Sequence, residues 1–508
     1  MLWIFLSIFL MIFTNGCTRQ RSVESAPDGS LNYNVVFICI DNLRADHMEM
    51  FGYNRKTMPY FSKWASEAQV FENFYSTTQM TIPSEGSAFT GRYPFENGLI
   101  SFEHKLWPQI ENVATIFSRR GYHTLASGNS VEYKLFTSVR ESFRPLFNYY
   151  DITLRRVNGG NPYLESFKKF LTSFESQKFF IWMPMGTVHS PYGFPFKNVF
   201  SDEKYSGPLK KFENFPGSNF WIYKNTLYPI TPDTDFNFIR LSLDSGSNAI
   251  NSLIKLNESD LNWMIGRYDD GIIAADRQFE EIMKEFEKRD LIKSTIFVVY
   301  SNHGEELNEH GYFGHLDIYQ GNVQVPLIIK VPTAMPAKRH NMLATTVDIL
   351  PTLMNLMKIK PPSDLDGIDL FSPEALKRKS INLLRTPLWE SLIYLKNKPS
   401  MWDDFRSKIS TEDYMEPVIV TDQYKLVHRR ARFILKKYSA LKSVTKKNIE
   451  FPEYEMYDLK KDPLELQNIA FKSKEFAPLL DKLKTFEKRI LINKDKFLKS
   501  KNSIQDYQ

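Results

Sequence analysis

Two apolar stretches of this chain end in side chains of the kind that hold a cation or move a proton. The run "NVVFICI" stops at Asp41 and Asn42, and "STIFVVYS" stops at Asn302 and His303. If the two runs lay side by side, these oxygen and nitrogen donors could share one divalent cation. Taken singly, each pair reads equally well as a loop cap or turn. A third stretch, "TIPSEG" over residues 81–86, sets a hydroxyl (Thr81), a proline and an acid (Glu85) between an aromatic run and the turn-rich "FTGRYPFENG". Ser84 next to Pro83 favours a helix start, whose N–H groups and partial positive charge can hold an anionic ester. The plainer alternative is that Thr81 only caps that helix.

Such groups must be carried to one place by the fold. A continuous apolar run that ends in an acid is the pattern of a parallel strand buried on both faces, with its chemistry at the carboxyl end. "KFFIWMPMGTVHSPY" and "VPLIIKVP" repeat that syntax. Between them, "MPYFSKWASEA", "ENVATIFSRRG", "NPYLESFKKFLTSFES" and "AADRQFEEIMKEFEKRD" place apolar residues at three- and four-residue spacing, the period of a helix. The expected fold class is α/β: a sandwich around a central, mostly parallel sheet over residues 34–370. After residue 370, "PVIVTDQYKLVHRR" and "YEMYDLKKDPLE" predict short antiparallel strands, and residues 473–495 a closing amphipathic helix. Residues 371–508 therefore read as a smaller C-terminal subdomain with an antiparallel sheet. The segment 195–260, rich in Asn, Ser, Pro and aromatics, reads as a long insertion near the cleft.

The 508 residues suffice for a large core, and 42% apolar with 24% charged residues is ordinary for a folded chain. A formal net charge of +6 is a small excess, and no Lys/Arg block interleaved with aromatics suggests nucleic-acid binding. The opening "MLWIFLSIFLMIFTNGC" is an apolar run too short to cross a membrane as a stable helix, and reads as a signal peptide over residues 1–17. "TNGC" resembles the lipobox of bacterial lipoproteins, which implies a lipid anchor at Cys17, a polar tether over residues 18–33 and a protein held at the cell envelope. No Lys or Arg precedes the run, and Thr14 and Asn15 depart from the usual lipobox residues. The one other cysteine, Cys39, reads as a small buried hydrophobe.

The motifs taken together resemble the sulfatase family of the alkaline-phosphatase superfamily. The resemblance runs from "FICIDNLRADHMEMFGYNRKTMPYFSKWASEAQVFENFYS" through "TIPSEGSAFTGRYPFENG", "GYHTLASGN", "HSPY", "RYDDGIIAADRQFEEI" and "SNHGEELNEHGYFGH". It continues through "VPLIIKVP" and "VDILPTL" to "YEMYDLKKDPLELQNIA". It implies in-line attack of a nucleophile on a sulfate or phosphate ester, assisted by a divalent cation, with Ca²⁺ or Mg²⁺ favoured over Mn²⁺ or Zn²⁺. By this resemblance Asp41, Asn42, Asn302 and His303 hold the metal and Thr81 is the nucleophile. His189 and His315 contact the ester or protonate its leaving oxygen. A sulfatase carries Cys or Ser at the nucleophile position, converted to formylglycine, and threonine cannot follow that route because its methyl group would give a ketone. Threonine is the nucleophile in related phosphodiesterases and in phosphoglycerol or phosphoethanolamine transferases.

Four positions depart from the sulfatase pattern. Glu85 stands where an arginine holds the anion, Asn129 where a "GKWH"-like motif has its lysine, and Asn42 and Asn302 where acids are usual. Losing two carboxylates weakens a hard-cation site, unless Glu85 turns inward and restores one charge. Glu306 and His310 read as solvated residues at the edge of the same loop. The sequence therefore supports two functions. One is an exported ester hydrolase or transferase acting on a sulfate or phosphate ester, carbohydrate- or lipid-linked. The other is a catalytically degraded relative that binds a glycan, lipid head group or partner without turnover. A lipid-linked phosphoethanolamine-type transferase shares the threonine but would carry several membrane helices ahead of it.

Overall fold

The computed structural model describes residues 31–493 except 103, 131–132, 134–136, 154–160, 162–163, 191, 194–195, 211–220, 223–237, 244–249, 311–312, 316, 333–334, 387–414 and 431–451. The expected leader, Cys17 and most of the tether lie outside the described residues. Eight strands form one sheet: β1 (Asn34–Ile40), β2 (Gln69–Tyr75), β3 (His123–Asn129), β4 (Tyr149–Thr153), β5 (Phe179–Met185), β6 (Thr295–Tyr300), β7 (Leu327–Lys330) and β8 (Lys338–Thr345). Their order is β8-β2-β7-β6-β1-β5-β3-β4, and only β7 runs against its neighbours.

The sheet is central because its middle strands are apolar on both faces. Successive side chains of a strand point to opposite sides, so β1 feeds two cores. Val36, Ile38 and Ile40 join Ile181, Met183, Phe297 and Val299 on one side. Val35, Phe37 and Cys39 join Phe180, Trp182, Ile296, Val298 and Tyr300 on the other. The helix α1 (Thr81–Thr90) covers the second face through Ile82, Ala88 and Phe89. The helix α2 (Glu258–Lys288) covers the first through Phe279, Ile282, Met283 and Phe286. It starts well before the periodic segment that predicts it, at a capping box in which Asn257 accepts from the Asp260 N–H and Asp260 from the Asn257 N–H.

A second sheet, separate and antiparallel, is built from β9 (Ile381–Arg385), β10 (Glu416–Val420), β11 (Tyr424–His428) and β12 (Tyr454–Asp458) in that order. The helix α3 (Phe476–Ile492) lies against it, with Leu479 and Leu483 among Ile419, Leu426 and Met456. The α/β class, the mostly parallel main sheet and the small antiparallel sheet all agree with the reading of the sequence. Within the expected insertion, the backbone shows a three-stranded sheet of Trp221–Ile222, Phe238–Leu243 and Ile250–Lys255. Much of the remainder of 195–260 lies outside the described residues. No helix among the described residues is long and apolar enough to cross a membrane.

Trp182 is fully buried on β5, with Phe89 at 5.2 Å and Tyr133 at 4.7 Å edge-to-face. Trp182→Ala is expected to lower unfolding free energy by about 3–5 kcal/mol; a shift in denaturant midpoint at unchanged slope checks this.

Candidate active site

β1 and β6 are adjacent and parallel, with Cys39 opposite Tyr300, so the residues that follow them emerge at the same edge of the sheet. Asp41 and Asn42 leave β1, and Asn42 turns the chain at φ 64°, a left-handed position that asparagine tolerates. Ser301, Asn302 and His303 leave β6. The Ser301 hydroxyl donates to the His303 carbonyl at 2.7 Å and accepts the Leu43 N–H at 3.0 Å, which ties the two strand ends together. Gly304 is required next: a Cβ there would stand 2.0 Å from the Gly321 carbonyl oxygen.

The helix α1 begins at Thr81 with its first turn over this edge. Pro83 fits because the N–H it lacks would have no partner in a first turn, and Gly91 at φ 65° closes the helix. The Thr81 hydroxyl stands 3.0 Å from His303 Nε2, and the same nitrogen is 3.5 Å from Asp41 Oδ1. His303 Nδ1 faces the Gly304 carbonyl at 2.9 Å. A carbonyl only accepts, so the ring proton sits on Nδ1 and Nε2 presents a lone pair toward Thr81.

His189 and His315 repeat this arrangement. His189 Nδ1 faces the Ser190 carbonyl at 2.9 Å and His315 Nδ1 the Gln79 carbonyl at 3.0 Å. The His315 ring lies 4.2 Å from that of His303 and 6.0 Å from that of His189. Burial, then the neighbouring His303 and His189, hold the His315 pKa well below the ordinary histidine value. The structure thus gathers Asp41, Asn42, Thr81, His189, Asn302, His303 and His315 around one sheet edge.

Glu305, which the reading of the sequence missed, orients the Asn42 amide. Asn42 donates from Nδ2 to Glu305 Oε2, and the Tyr192 hydroxyl donates to Glu305 Oε1 at 2.6 Å. Asn42 Oδ1 is left buried with no hydrogen bond, the state of an acceptor that a cation would satisfy. The signal was present: Glu305 follows "NHG" directly and Tyr192 closes "HSPY". Asn302 Oδ1 accepts its neighbour's N–H from His303 at 2.8 Å and retains a second lone pair. Donor chemistry therefore fits one hard cation held by the Asp41 carboxylate, two amide oxygens and the His303 imidazole. Among the described residues no three acidic, histidine or cysteine side chains converge as a metal site, so a cation held here would need the amides for part of its coordination.

The departures from the family pattern take up structural partners. Glu85 is wholly buried; its Oε2 accepts the Tyr300 hydroxyl at 2.7 Å and a hydrogen bond joins it to the Cys39 thiol. Burial pushes its carboxyl up to about 7, the hydrogen bonds from Cys39 and Tyr300 pull it down, and nearby Asp41 adds to the rise. It lies behind the strand ends, among core residues, and cannot serve as an anion-holding arginine would. Asn129, at the end of β3, accepts the Gly186 N–H through Oδ1 at 3.1 Å. Glu306 and His310 correct an expectation: both are buried and paired at 2.7 Å, with His310 stacked 3.5 Å from the Tyr319 ring. Glu306 lies in a short strand paired with Phe313–Gly314, and His310 Nε2 faces the Glu465 carbonyl at 3.4 Å.

A sequence-family profile described as "Sulfatase" matches residues 33–359, and one described as "N-sulphoglucosamine sulphohydrolase, C-terminal" matches residues 308–491. The chain is 22% identical to an N-acetylglucosamine-6-O-sulfatase of Bacteroides thetaiotaomicron, with 88% of this chain and 85% of the relative aligned. It is also 22% identical to an arylsulfatase of Clostridium perfringens, over 89% of this chain and 92% of that one. Among solved structures it is similar to a protein in complex with its substrate D-glucosamine-2-N,6-O-disulfate, with a TM-score of 0.59 and 19% identity over 92% of this chain and 98% of that one. The phosphonate monoester hydrolase of Agrobacterium radiobacter gives 0.62 and 16% over 92% and 96%.

Glu85 makes stability depend on pH in a stated direction. Its unfolded carboxyl ionises near 4.5 and its folded one near 7, so stability is full below 4.5 and falls as pH rises through that window. Glu85→Gln is expected to leave stability unchanged at pH 4.5 and to raise it by up to about 3 kcal/mol at pH 8. Denaturant unfolding at both pH values checks this.

Proposed function

This chain belongs to the sulfatase family, and from that premise we propose that it is an esterase that hydrolyses carbohydrate sulfate esters with Thr81 as the nucleophile. The observation that carries the reading is the Thr81 hydroxyl 3.0 Å from His303 Nε2, with Asp41 Oδ1 3.5 Å from that nitrogen. The names of the relatives support an amino-sugar sulfate as the substrate class.

His303 holds the Thr81 hydroxyl at the first turn of α1, where the helix dipole favours the anionic ester. As Thr81 Oγ1 bonds to sulfur, the bond from sulfur to the sugar oxygen breaks, and that oxygen needs a proton. Burial and the neighbouring His303 and His189 favour the neutral form of His315 in the free site; an anionic ester beside it draws a proton onto Nε2, and the imidazolium then serves the leaving oxygen. Water releases the sulfo group from Thr81 in a second step. The sulfatase family generally uses a divalent metal ion, and one held by Asp41, Asn42, Asn302 and His303 would supply charge neutralisation to the ester and a lower pKa for the Thr81 hydroxyl. The His303 Nε2 lone pair serves either the Thr81 proton or such a cation, which makes loading and deprotonation linked events.

Export and lipid attachment through Cys17 belong to the same proposal, on the strength of the leader pattern. The retained site argues for turnover over a binding-only role. The deciding experiment is a panel of sulfate and phosphate mono- and diesters with added Mg²⁺, Ca²⁺, Mn²⁺ or Zn²⁺, using Thr81→Ala as the blank. Sulfate monoesters are expected to be the best substrates, with Thr81→Ala lowering kcat by at least ~10³-fold. Equal activity in the blank removes Thr81 from the mechanism, and preference for phosphodiesters moves the substrate class. Titration of Mg²⁺ or Ca²⁺ into the metal-free enzyme is expected to release a proton, read as acidification in weak buffer, and Asp41→Asn is expected to abolish the signal.

A further inference from the structure

His315 is held by residues that do not belong to the eight-stranded sheet. Its Nδ1 donates to the Gln79 carbonyl at 3.0 Å, and the Gln79 side chain bridges both backbone groups of Thr386, accepting its N–H at 3.2 Å and donating to its carbonyl at 3.1 Å. Thr386 directly follows β9. Two residues beyond His315, Asp317 enters a buried charge cluster whose other members come from the four-stranded sheet and its edge. Arg429, which follows β11 and is fully buried, reaches Asp317 Oδ1 at 2.6 Å, Glu416 Oε2 on β10 at 3.2 Å and Glu455 Oε2 on β12 at 2.8 Å. Arg385 on β9 lies 3.4 Å from both Asp317 and Glu416. Lys425 on β11 donates to the Ile318 carbonyl at 2.6 Å and pairs with Glu465 at 2.7 Å.

A fully buried guanidinium among three carboxylates is a costly way to join two surfaces, since apolar residues of similar volume often do as well or better. What the cluster provides instead is fixed direction: planar, multiply bonded ion pairs hold a carboxylate in one place. Asp317 is the single member that comes from the loop carrying His315, and the same loop is pulled by Lys425 at Ile318. We infer that Arg429 is a positioning residue for His315: by clamping Asp317 it sets where the imidazole meets the leaving oxygen over Thr81. The four-stranded sheet thereby takes part in catalysis without contributing a group that touches the ester. This inference rests on the proposed role of His315 as the proton source.

The test uses two sulfate esters that differ in how much they need a proton. The leaving oxygen of N-acetylglucosamine 6-sulfate is a poor leaving group that needs protonation, whereas 4-nitrophenolate leaves without it. Arg429→Met and Asp317→Asn are expected to lower kcat for the sugar ester roughly 10- to 100-fold with KM little changed, while kcat for 4-nitrophenyl sulfate falls less than about three-fold. Arg429→Lys, which keeps the charge, is expected to restore part of the loss. His315→Gln is the reference and is expected to show the same selective loss in larger measure. If Arg429→Met does not fold, Asp317→Asn decides alone. An equal fall on both esters, the mark of a merely structural role, overturns the positioning inference and leaves the functional reading standing. His315→Gln treating both esters alike, or no turnover of either by the unaltered chain, overturns the functional reading and this inference with it.

Discussion

The approach of His303 Nε2 to Asp41 Oδ1, 3.5 Å across two strand ends, is the contact on which the rest of the site depends. It exists because β1 and β6 run parallel and in register, so that each delivers its polar pair at the same height. Parallel register in turn requires strands buried on both faces, and β1 meets this with seven consecutive buried residues. The two cores are therefore not only a source of stability. They fix the relative height of two polypeptide ends to within the reach of one cation or one proton. The helix α1 then needs only to begin at the right place, and Thr81 is its first residue.

The substitutions that set this chain apart from its family are absorbed in different ways. Glu85 is turned into the core, where Oε2 accepts the Tyr300 hydroxyl, Oε1 is left without a hydrogen bond and burial favours its neutral form. Wholly buried, it does not face solvent, where a carboxylate would repel an anion. Asn42 replaces charge with a directed dipole, and the directing is done by Glu305, itself pushed well above the usual carboxylate range by burial. Two amides in place of two carboxylates leave a donor set with one charge, which lowers affinity for a hard cation without removing its geometry. The three histidines share one device, an Nδ1–H spent on a backbone carbonyl, so that each Nε2 is directed away from the chain and toward the site.

Much of this was legible in the sequence for a simple reason. "NVVFICID" and "TIFVVYSNH" are continuous apolar runs that stop at polar side chains, and a strand buried on both faces is the economical explanation for each. The helix start at "TIPSEG" was legible from its proline. What the sequence hid were charges that the fold buries. Glu306 and His310 look like ordinary loop residues until the fold brings the Tyr319 ring and the Glu465 carbonyl against His310. Arg429, Glu416 and Glu455 look like the alternating polar face of an exposed hairpin, and nothing local distinguishes them from solvated neighbours. Their partner Asp317 lies about a hundred positions away, and such pairing is set by tertiary structure alone. β2 and β8 were also missed, because Glu72 and Asn73, or Lys338, Arg339 and Asn341, interrupt the apolar pattern where these strands meet solvent.

On the proposed reading, the ends of β1 and β6 grip one divalent cation beside Thr81. Anomalous scattering from crystals soaked in Mn²⁺ tests it without reference to any substrate. A single strong peak is expected within about 2.4 Å of oxygen or nitrogen atoms of Asp41, Asn42, Asn302 and His303, next to the Thr81 hydroxyl. A peak elsewhere, or none at this sheet edge at saturating Mn²⁺, would contradict it.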